Sequence, residues 1–434
     1  MSSIFKKLLG VQKAALRSVE LIEENGVATV VADVLLHKRQ RWRCALCKRK
    51  SPVYDVPYTS RRWRTLDLGG AKAYIKMTLP RVECAKHGVH AAWVPWAEHG
   101  AKMTSAFDRL ATWMARHMDK SATSQLLRIN WKSIGGIVKR VVDVLAADRG
   151  THRFDNLLAI GIDETSYRKG HKYLTVVVNH ANGEVVWAAK GYGKEVLEGF
   201  FDLLSDEQCE QIKLVSADGA RWIASVVEDR CPGAIRVMDP FHVVAWATDA
   251  LDTVRKRVHR EAKAAQGKKP KRGRGRPKKG EEASPDAAAA IKGARFALWK
   301  NPEDLLEGQR AQLDMIALGS PVLYRAYRLK EGLRLIFQMG IDDAEKALGR
   351  WLSWAQRCRI PEFVELGRKV KRHKEAILSA IRYGLSNARI EAVNNKIKLS
   401  VRAGYGFRNI DNLIALVMLR CTSLPVSLPW MAAA

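Results

Sequence analysis

With 434 residues, 47% of them hydrophobic and 13 of them Trp, the chain has room for two to four domains and is too apolar for a disordered basic tail. Lys and Arg number 74 against 45 Asp and Glu, and the formal net charge of +29 points to a polyanionic partner held through phosphate contacts. No apolar run approaches the roughly 18 residues of a membrane span, the N-terminal apolar stretch is too short for a secretory signal, and seven sparse Cys argue against a disulfide framework. The expected setting is a reducing cytoplasm with no membrane partner.

Cys44-Ala45-Leu46-Cys47 and Cys84-Ala85-Lys86-His87 are two knuckles separated by 36 residues. Each can grip a Zn²⁺ from a tight turn, and together they complete a tetrahedron. The intervening residues are strand-like and basic, as in a zinc ribbon. His90 and His99 compete with His87 for the fourth position. Beyond them, 106–115 has helical periodicity, 121–130 forms a short helix, and Trp131-Lys132-Ser133 opens a third helix with a basic outer face. A short helix, a brief turn and a second helix suit a helix-turn-helix, with Trp131, Lys132 and Ser133 placed to reach DNA; an ordinary three-helix spacer has the same pattern. Gly135-Gly136 weakens the third helix by about 1 kcal/mol per Gly relative to Ala.

From Leu157 the pattern alternates between strands and helices. A buried strand, 157–164, delivers Asp163 at its tip. A hairpin over 171–179 and 184–189 turns at Asn182-Gly183. A helix (about 194–209), a strand ending in Asp218, a helix from Arg221 to Arg230 and a short strand ending in Asp239 follow. Three antiparallel strands, a crossover helix, a strand, a helix and a strand make the ribonuclease-H-like order. There the first and fourth strands are neighbours, so Asp163 and Asp218 lie side by side, an arrangement whose repulsion a cation would relieve. In Asp239-Pro240-Phe241-His242, Asp239 can cap the following helix, with His242 in its first turn. A supporting role and direct metal contact are both open for this pair.

The run 267–280 breaks all periodicity and reads as a flexible basic linker. Within it Arg274-Gly275-Arg276-Pro277 matches the core of an AT-hook, whose Arg side chains enter narrow A·T-rich minor grooves; a generic polybasic loop is the alternative. Residues 288–380 are helical throughout, with breaks at Gly319-Ser320-Pro321, Gly340 and Ile360-Pro361. A further helix places Glu391, Asn394, Asn395 and Lys398 on one face, and Arg402 follows. Asp163, Asp218 and Glu391 are thus three well-separated carboxylates in settings that suit hard cations such as Mg²⁺.

Gly161-Ile162-Asp163-Glu164, Arg168-Lys169-Gly170-His171-Lys172-Tyr173, Asp239-Pro240-Phe241-His242-Val243, Ala326-Tyr327-Arg328-Leu329-Lys330-Glu331, Ser386-Asn387-Ala388-Arg389-Ile390-Glu391 and Tyr405-Gly406-Phe407-Arg408-Asn409 occur in order along the chain. Together they resemble the bacterial insertion-sequence transposases of the zinc-ribbon-bearing ISL-three family, over nearly the whole length. Ala392 departs from the Gly that commonly follows the Glu, and the AT-hook-like linker is not a family feature.

The resemblance implies an α/β ribonuclease-H-like DDE catalytic core (151–262 and 381–425) interrupted by an all-α insertion (287–380) and a basic linker (263–286). A zinc-ribbon domain (1–100) and a helix-turn-helix domain (101–150) precede it, the former with one structural Zn²⁺. It also implies a catalytic set of Asp163, Asp218 and Glu391, supported by Asp239 and His242, holding two Mg²⁺ (or Mn²⁺). Asp163 would bridge both ions, while Asp218 and Glu391 each complete one. An activated water would cut at the transposon end, and the freed 3′-hydroxyl would attack target DNA, with Lys398 and Arg402 steadying phosphates. The expected partner is double-stranded DNA (terminal inverted repeats and target), bound by a homodimer or larger synaptic assembly in the bacterial cytoplasm and nucleoid. The rival reading is a non-catalytic DNA-binding regulator, which needs no carboxylates at strand tips.

Overall fold

Helix α1 (Ser2–Leu8) precedes a long hairpin, β1 (Ala14–Glu24) and β2 (Val27–Leu36), closed by Asn25-Gly26. Both turn residues have positive φ, 54° and 73°, the conformation that matches the twist of the strands they join and that Asn and Gly tolerate best. Next come β3 (Val53–Asp55), β4 (Arg61–Leu68), β5 (Ala71–Met77), β6 (Arg81–Cys84) and β7 (Gly88–Ala91). The strands form a four-stranded sheet, β1-β2-β5-β4, and a small three-stranded one, β3-β6-β7. Trp63, Ile75 and Met77 fill the core of this region, with Trp96 edge-on to Trp63. The computed structural model describes residues 2–265, 287–385 and 388–431.

The helical trio follows as α2 (Ser105–His117), α3 (Lys120–Leu127) and α4 (Trp131–Arg149). Each begins on a side-chain cap: Thr104 accepts from the Phe107 amide, Asp119 from those of Ser121 and Ala122, and Asn130 from that of Lys132. Arg128, in left-handed backbone, ends α3, so only 128–130 separate it from α4. Its guanidinium donates to the Gly70 carbonyl at 2.9 Å and pairs with Asp67, which fixes the turn to the β4–β5 connection.

A second sheet is built from β8 (Ala159–Arg168), β9 (Lys172–Asn179) and β10 (Val185–Lys190). After α5 (Lys194–Phe201) and α6 (Asp206–Gln211) it continues with β11 (Leu214–Ala217), α7 (Arg221–Arg230) and β12 (Ile235–Met238). The strand order is β10-β9-β8-β11-β12, antiparallel across the first three and parallel across the last three. Two local expectations change. The single helix expected near 194–209 is two, because Ser205 starts a new one through a capping box with Gln208. Strand β8 does not end at Asp163 but runs on to Arg168, because β9 supplies partners as far as Lys172, and Asp163 faces Val176 in mid-strand.

Helix α8 (Pro240–Ala265) leaves β12 directly. Beyond the undescribed residues 266–286, which include Arg274 and Arg276, come α9 (Ala287–Gly293), α10 (Arg295–Trp299), α11 (Glu307–Gly319), α12 (Pro321–Ile336), α13 (Ile341–Arg357), α14 (Pro361–Arg372) and α15 (Lys374–Tyr383). The expected breaks fall at the junctions around α12, α13 and α14. Pro321 and Pro361 each start a helix, where a missing amide costs nothing. Leu251 and Val254 of α8, Leu329 and Leu333 of α12, Trp351 of α13 and Phe363 of α14 share one apolar core. No helix among the described residues is long and apolar enough to cross a membrane.

The chain ends with α16 (Ala388–Ala403) and α17 (Ile410–Arg420). Two units result: Met1–Gly150 with the residues from Ile397 onward, and Thr151–Lys396. Residues 397–425, grouped from sequence with the strands of 151–262, pack in the first unit. Leu416 and Leu419 of α17, with Leu424 and Val426 beyond it, cover Ile134, Val138 and Val142 of α4. Gly135 permits this approach, since a Cβ there would stand 2.7 Å from Asn412 Cγ. The glycine that weakens α4 as an isolated helix is the one that lets its cover fit.

Candidate active site and metal centre

The two Cys knuckles meet in the first unit. One ligand atom each from Cys44, Cys47, Cys84 and His87 lies within 4.8 Å of all the others. The Cys47–Cys84 sulfur separation is 3.7 Å, and His87 Nδ1 stands 3.5 Å from Cys44 Sγ and 3.6 Å from Cys84 Sγ. Zn–S bonds of about 2.3 Å in a tetrahedron give ligand–ligand edges of about 3.8 Å, so three thiols and one imidazole at these spacings fit Zn²⁺. Backbone amides of Lys86 and His87 pull the Cys84 thiol down to about 6, whereas burial pushes Cys44 up. His90 reaches only Cys44, at 3.0 Å, and His99 lies beyond it, ring to ring with His90.

In the second unit, side chains alternate across β8. Ile160 and Ile162 face the core beneath α5 and α7, so Gly161 and Asp163 face the other side. The parallel register pairs Ser216 of β11 with Gly161; Asp163 stands two residues further along β8, and Asp218 directly follows the end of β11, near enough for its charge to act on Asp163. Asp218 Oδ1 accepts from the Ala220 amide at 2.9 Å, which holds the turn after β11. Asp239 likewise follows β12 and accepts from the Phe241 amide at 3.2 Å, the bond of a helix cap, while His242 Nε2 is 3.9 Å from its other oxygen.

Helix α16 lies on this face of β8. A Cβ on Gly161 would stand 2.9 Å from Ile390 Cγ1 and 2.8 Å from His180 Nε2, so only glycine admits the helix. One turn on, Asn394 Nδ2 donates to Asp163 Oδ2 at 2.6 Å. Glu391 sits between these two contacts along the helix and is exposed. Asp163, Asp218 and Glu391 are not drawn as close as the zinc set, which is the single group of three or more such ligand atoms within 4.8 Å among the described residues.

Electrostatics mark the same place. Burial pushes the Asp163 carboxyl up, opposed by its bonds from the Glu164 amide and Asn394. Glu164 is pushed up to about 7, by burial first and then by the charges of Asp218 and Asp163. Glu164 Oε1 and Asn394 Oδ1 are buried oxygens with no hydrogen-bond partner. Lone pairs left this way beside two carboxylates suit a hard cation with its water shell.

Comparison with known proteins agrees along the whole chain. Residues 160–417 match a family model described as a transposase, 94–142 the helix-turn-helix domain of transposase family ISL3, and 40–87 the zinc-finger of transposase IS204/IS1001/IS1096/IS1165. The transposase for insertion sequence element IS1557 of Mycobacterium tuberculosis is 48% identical over 431 residues, 98% of this chain and 97% of the relative. The transposase for insertion sequence element IS1001 of Bordetella parapertussis is 24% identical over 354 residues, 81% and 82% of the two chains. The chain belongs to the ISL3 family of transposases.

A regulator made of ribbon and helix-turn-helix alone would not carry the long 160–417 match, so this ISL3 transposase is read as a DNA-binding transposase rather than a repressor. At the start of α4, Trp131 is 56% exposed and Lys132 exposed, while Ser133 is half-buried with its amide on the Asn130 carbonyl. Lys398 and Arg402 are exposed further along α16. Three residues acquire roles that periodicity did not assign: Gly161 as the seat of α16, Asn394 as the bond to Asp163, and Glu164 as an additional half-buried carboxylate. A glycine two residues before a strand aspartate is the one signal that hinted at the first.

Gly161→Ala in this ISL3 transposase should therefore behave as an overpacking change that lifts α16. The expected loss is about 1–3 kcal/mol of stability and about 100-fold in cleavage, the scale of an ångström-level misplacement. Thermal denaturation and a cleavage assay on the same preparation check both numbers, and an unchanged melting temperature would contradict the close approach.

Proposed function

We propose that this transposase binds the terminal inverted repeats of its insertion sequence, cuts the DNA strand at their ends, and joins the freed 3′-hydroxyl to target DNA. In this reading Asp163, Asp218 and Glu391 are the catalytic carboxylates of a ribonuclease-H-like core. That core comprises 151–262 and the N-terminal half of α16, interrupted by the helices of 287–380. The observation that carries the reading is that Asp163 of β8 and Asp218, directly after the neighbouring parallel strand β11, lie close enough for the charge of one to act on the other, with the Glu391 helix bonded to the first through Asn394.

Mg²⁺ or Mn²⁺ held by these carboxylates would lower the pKa of the attacking water and stabilise the leaving oxygen. The chain's own contributions are positional. Asn394 fixes one oxygen of Asp163 and leaves the Glu164-bonded oxygen on the strand side, while Gly161 sets how near α16 comes. Asp239 caps α8 and keeps His242 beside the acidic face, where its charge is felt by Asp163. The Zn²⁺ of the ribbon is structural. Trp131, Lys132 and Ser133 read the repeat from α4, Lys398 and Arg402 steady phosphates, and two or more chains hold the paired ends. The test is strand cleavage of a duplex carrying the element's own end, in Mg²⁺ against EDTA. Cutting confined to the Mg²⁺ arm and to the authentic end is expected, and equal cutting in EDTA overturns the reading.

A further inference from the structure

Helices α8 and α14 share an apolar core through Val254, Phe363 and Leu366, but toward solvent they part to leave a cleft of about 1030 Å³. Its lining includes Arg359, Arg368, Lys369 and Arg372. The three arginines are exposed, and Lys369 lies over the ring of Trp246 at 3.6 Å from its centroid. Three acids share the lining. Glu362 is held by Arg257 at 2.9 and 3.1 Å, which leaves Asp249 and Glu365 against the four cations. The cleft is net positive and belongs wholly to the second unit.

One wall of the cleft stands against the carboxylate site. Gly219 follows Asp218 directly, and a Cβ on it would lie 2.8 Å from Trp246 Cζ2 and 3.7 Å from His373 Nε2. The surroundings of His373 carry the positive field through to that loop. Burial and then Arg236, Arg372, Lys369 and Arg221 hold its imidazole below the ordinary range. Lys369 in turn feels the charge of Asp218. A phosphodiester at Asp163 and Asp218 therefore borders a cationic trough reached past the Gly219 loop. On the proposed reading the repeat is recognised by the ribbon and helix-turn-helix, and the trough, which belongs to the other unit, is assigned to DNA outside the repeat.

We propose that the α8–α14 cleft holds the sugar–phosphate backbone of the DNA flanking the element, beyond the scissile phosphate. This rests on the reading of Asp163 and Asp218 as the cleavage site. It adds a binding site for the segment that is not part of the element, recognised by charge and not by base sequence.

The test compares the parent with the double variant Arg368→Glu/Arg372→Glu and the conservative pair Arg368→Lys/Arg372→Lys, all in EDTA so that no strand is cut. Each is titrated with a duplex ending at the repeat and with one extended by a helical turn of flank. The parent should bind the flanked duplex about 10-fold more tightly, and the Glu pair should lose that gain while binding the unflanked duplex as the parent does. Its salt dependence on the flanked duplex should fall by about 1.8 in log–log slope, two phosphate contacts' worth. The Lys pair should keep most of the gain. No gain from the flank in the parent, or equal losses on both duplexes, overturns the proposal. So does a Glu pair that keeps the flank gain but captures less of an unrelated target duplex. Failure of the carboxylate reading shows separately, as Mg²⁺-dependent cleavage surviving in Asp163→Ala, because the cleft readout involves no cleavage.

Discussion

Alanine at Asp163, Asp218 or Glu391 is expected to lower strand cleavage at the transposon end by about three orders of magnitude or more, ~4 kcal/mol of barrier. Affinity for that end should stay nearly intact, because carboxylates that position cations make no favourable contact with phosphate on their own. In the proposed reading Asp163 and Asp218 feel each other's charge at the ends of the paired stretch of β8 and β11, and Glu391 rides on the helix bonded to Asp163. The three therefore act as a unit, and double variants should be scarcely worse than singles. Asp163→Asn and Glu391→Gln keep shape while removing charge and should be as inactive as the alanines. Gel cleavage in Mg²⁺ and fluorescence anisotropy in EDTA separate the two quantities. Retained Mg²⁺-dependent cutting by any one variant removes that residue from the set.

Cys47→Ser should cost the chain its zinc and, with it, the folded N-terminal unit. A structural Zn²⁺ supplies roughly 10 kcal/mol or more of folding free energy, comparable to the whole stability of a domain, about 5–15 kcal/mol. The small sheet β3-β6-β7 ends in Cys84, and its apolar partners Val82 and Ala92 belong to the same core as Trp63 and Trp96. Loss of the metal therefore propagates into the larger sheet, and specific end recognition should fall with it. Elemental analysis should find one zinc per parent chain and less than a tenth of that in the variant, with a broadened thermal transition. Full zinc occupancy in Cys47→Ser, or none in the parent, refutes the assignment.

The zinc set was legible because each half is local: Cys-x-x-Cys and Cys-x-x-His are turns whose ligands are separated by two residues. Asp163 and Asp218 stand out in the sequence because each ends an apolar run, which nominates them as the candidate pair. The true end of β8 was not, since Glu164 to Arg168 is a polar stretch that becomes strand only because β9 offers hydrogen bonds opposite it. The contacts that Gly161 and Asn394 make were hidden for a related reason. Each matters through a neighbour more than 200 residues away, Ile390 for one and Asp163 for the other. Helix α17 illustrates the limit most plainly. An apolar helix at 410–420 will cover any apolar surface, and only the space above Gly135 says that the surface is α4.

That packing has a consequence for biosynthesis. The face of α4 formed by Ile134, Val138 and Val142 is completed by Leu416, Leu419, Leu424 and Val426, which the ribosome delivers long after α4 itself. At about 5–20 residues per second, that cover arrives some 15–60 s after α4 itself. Arg116 waits equally long for the carbonyls of Thr422 and Leu424. A nascent chain that has not yet reached α17 holds α4 without its backing. Until then the apolar face of α4 stays open to other partners, such as chaperones or a second nascent chain.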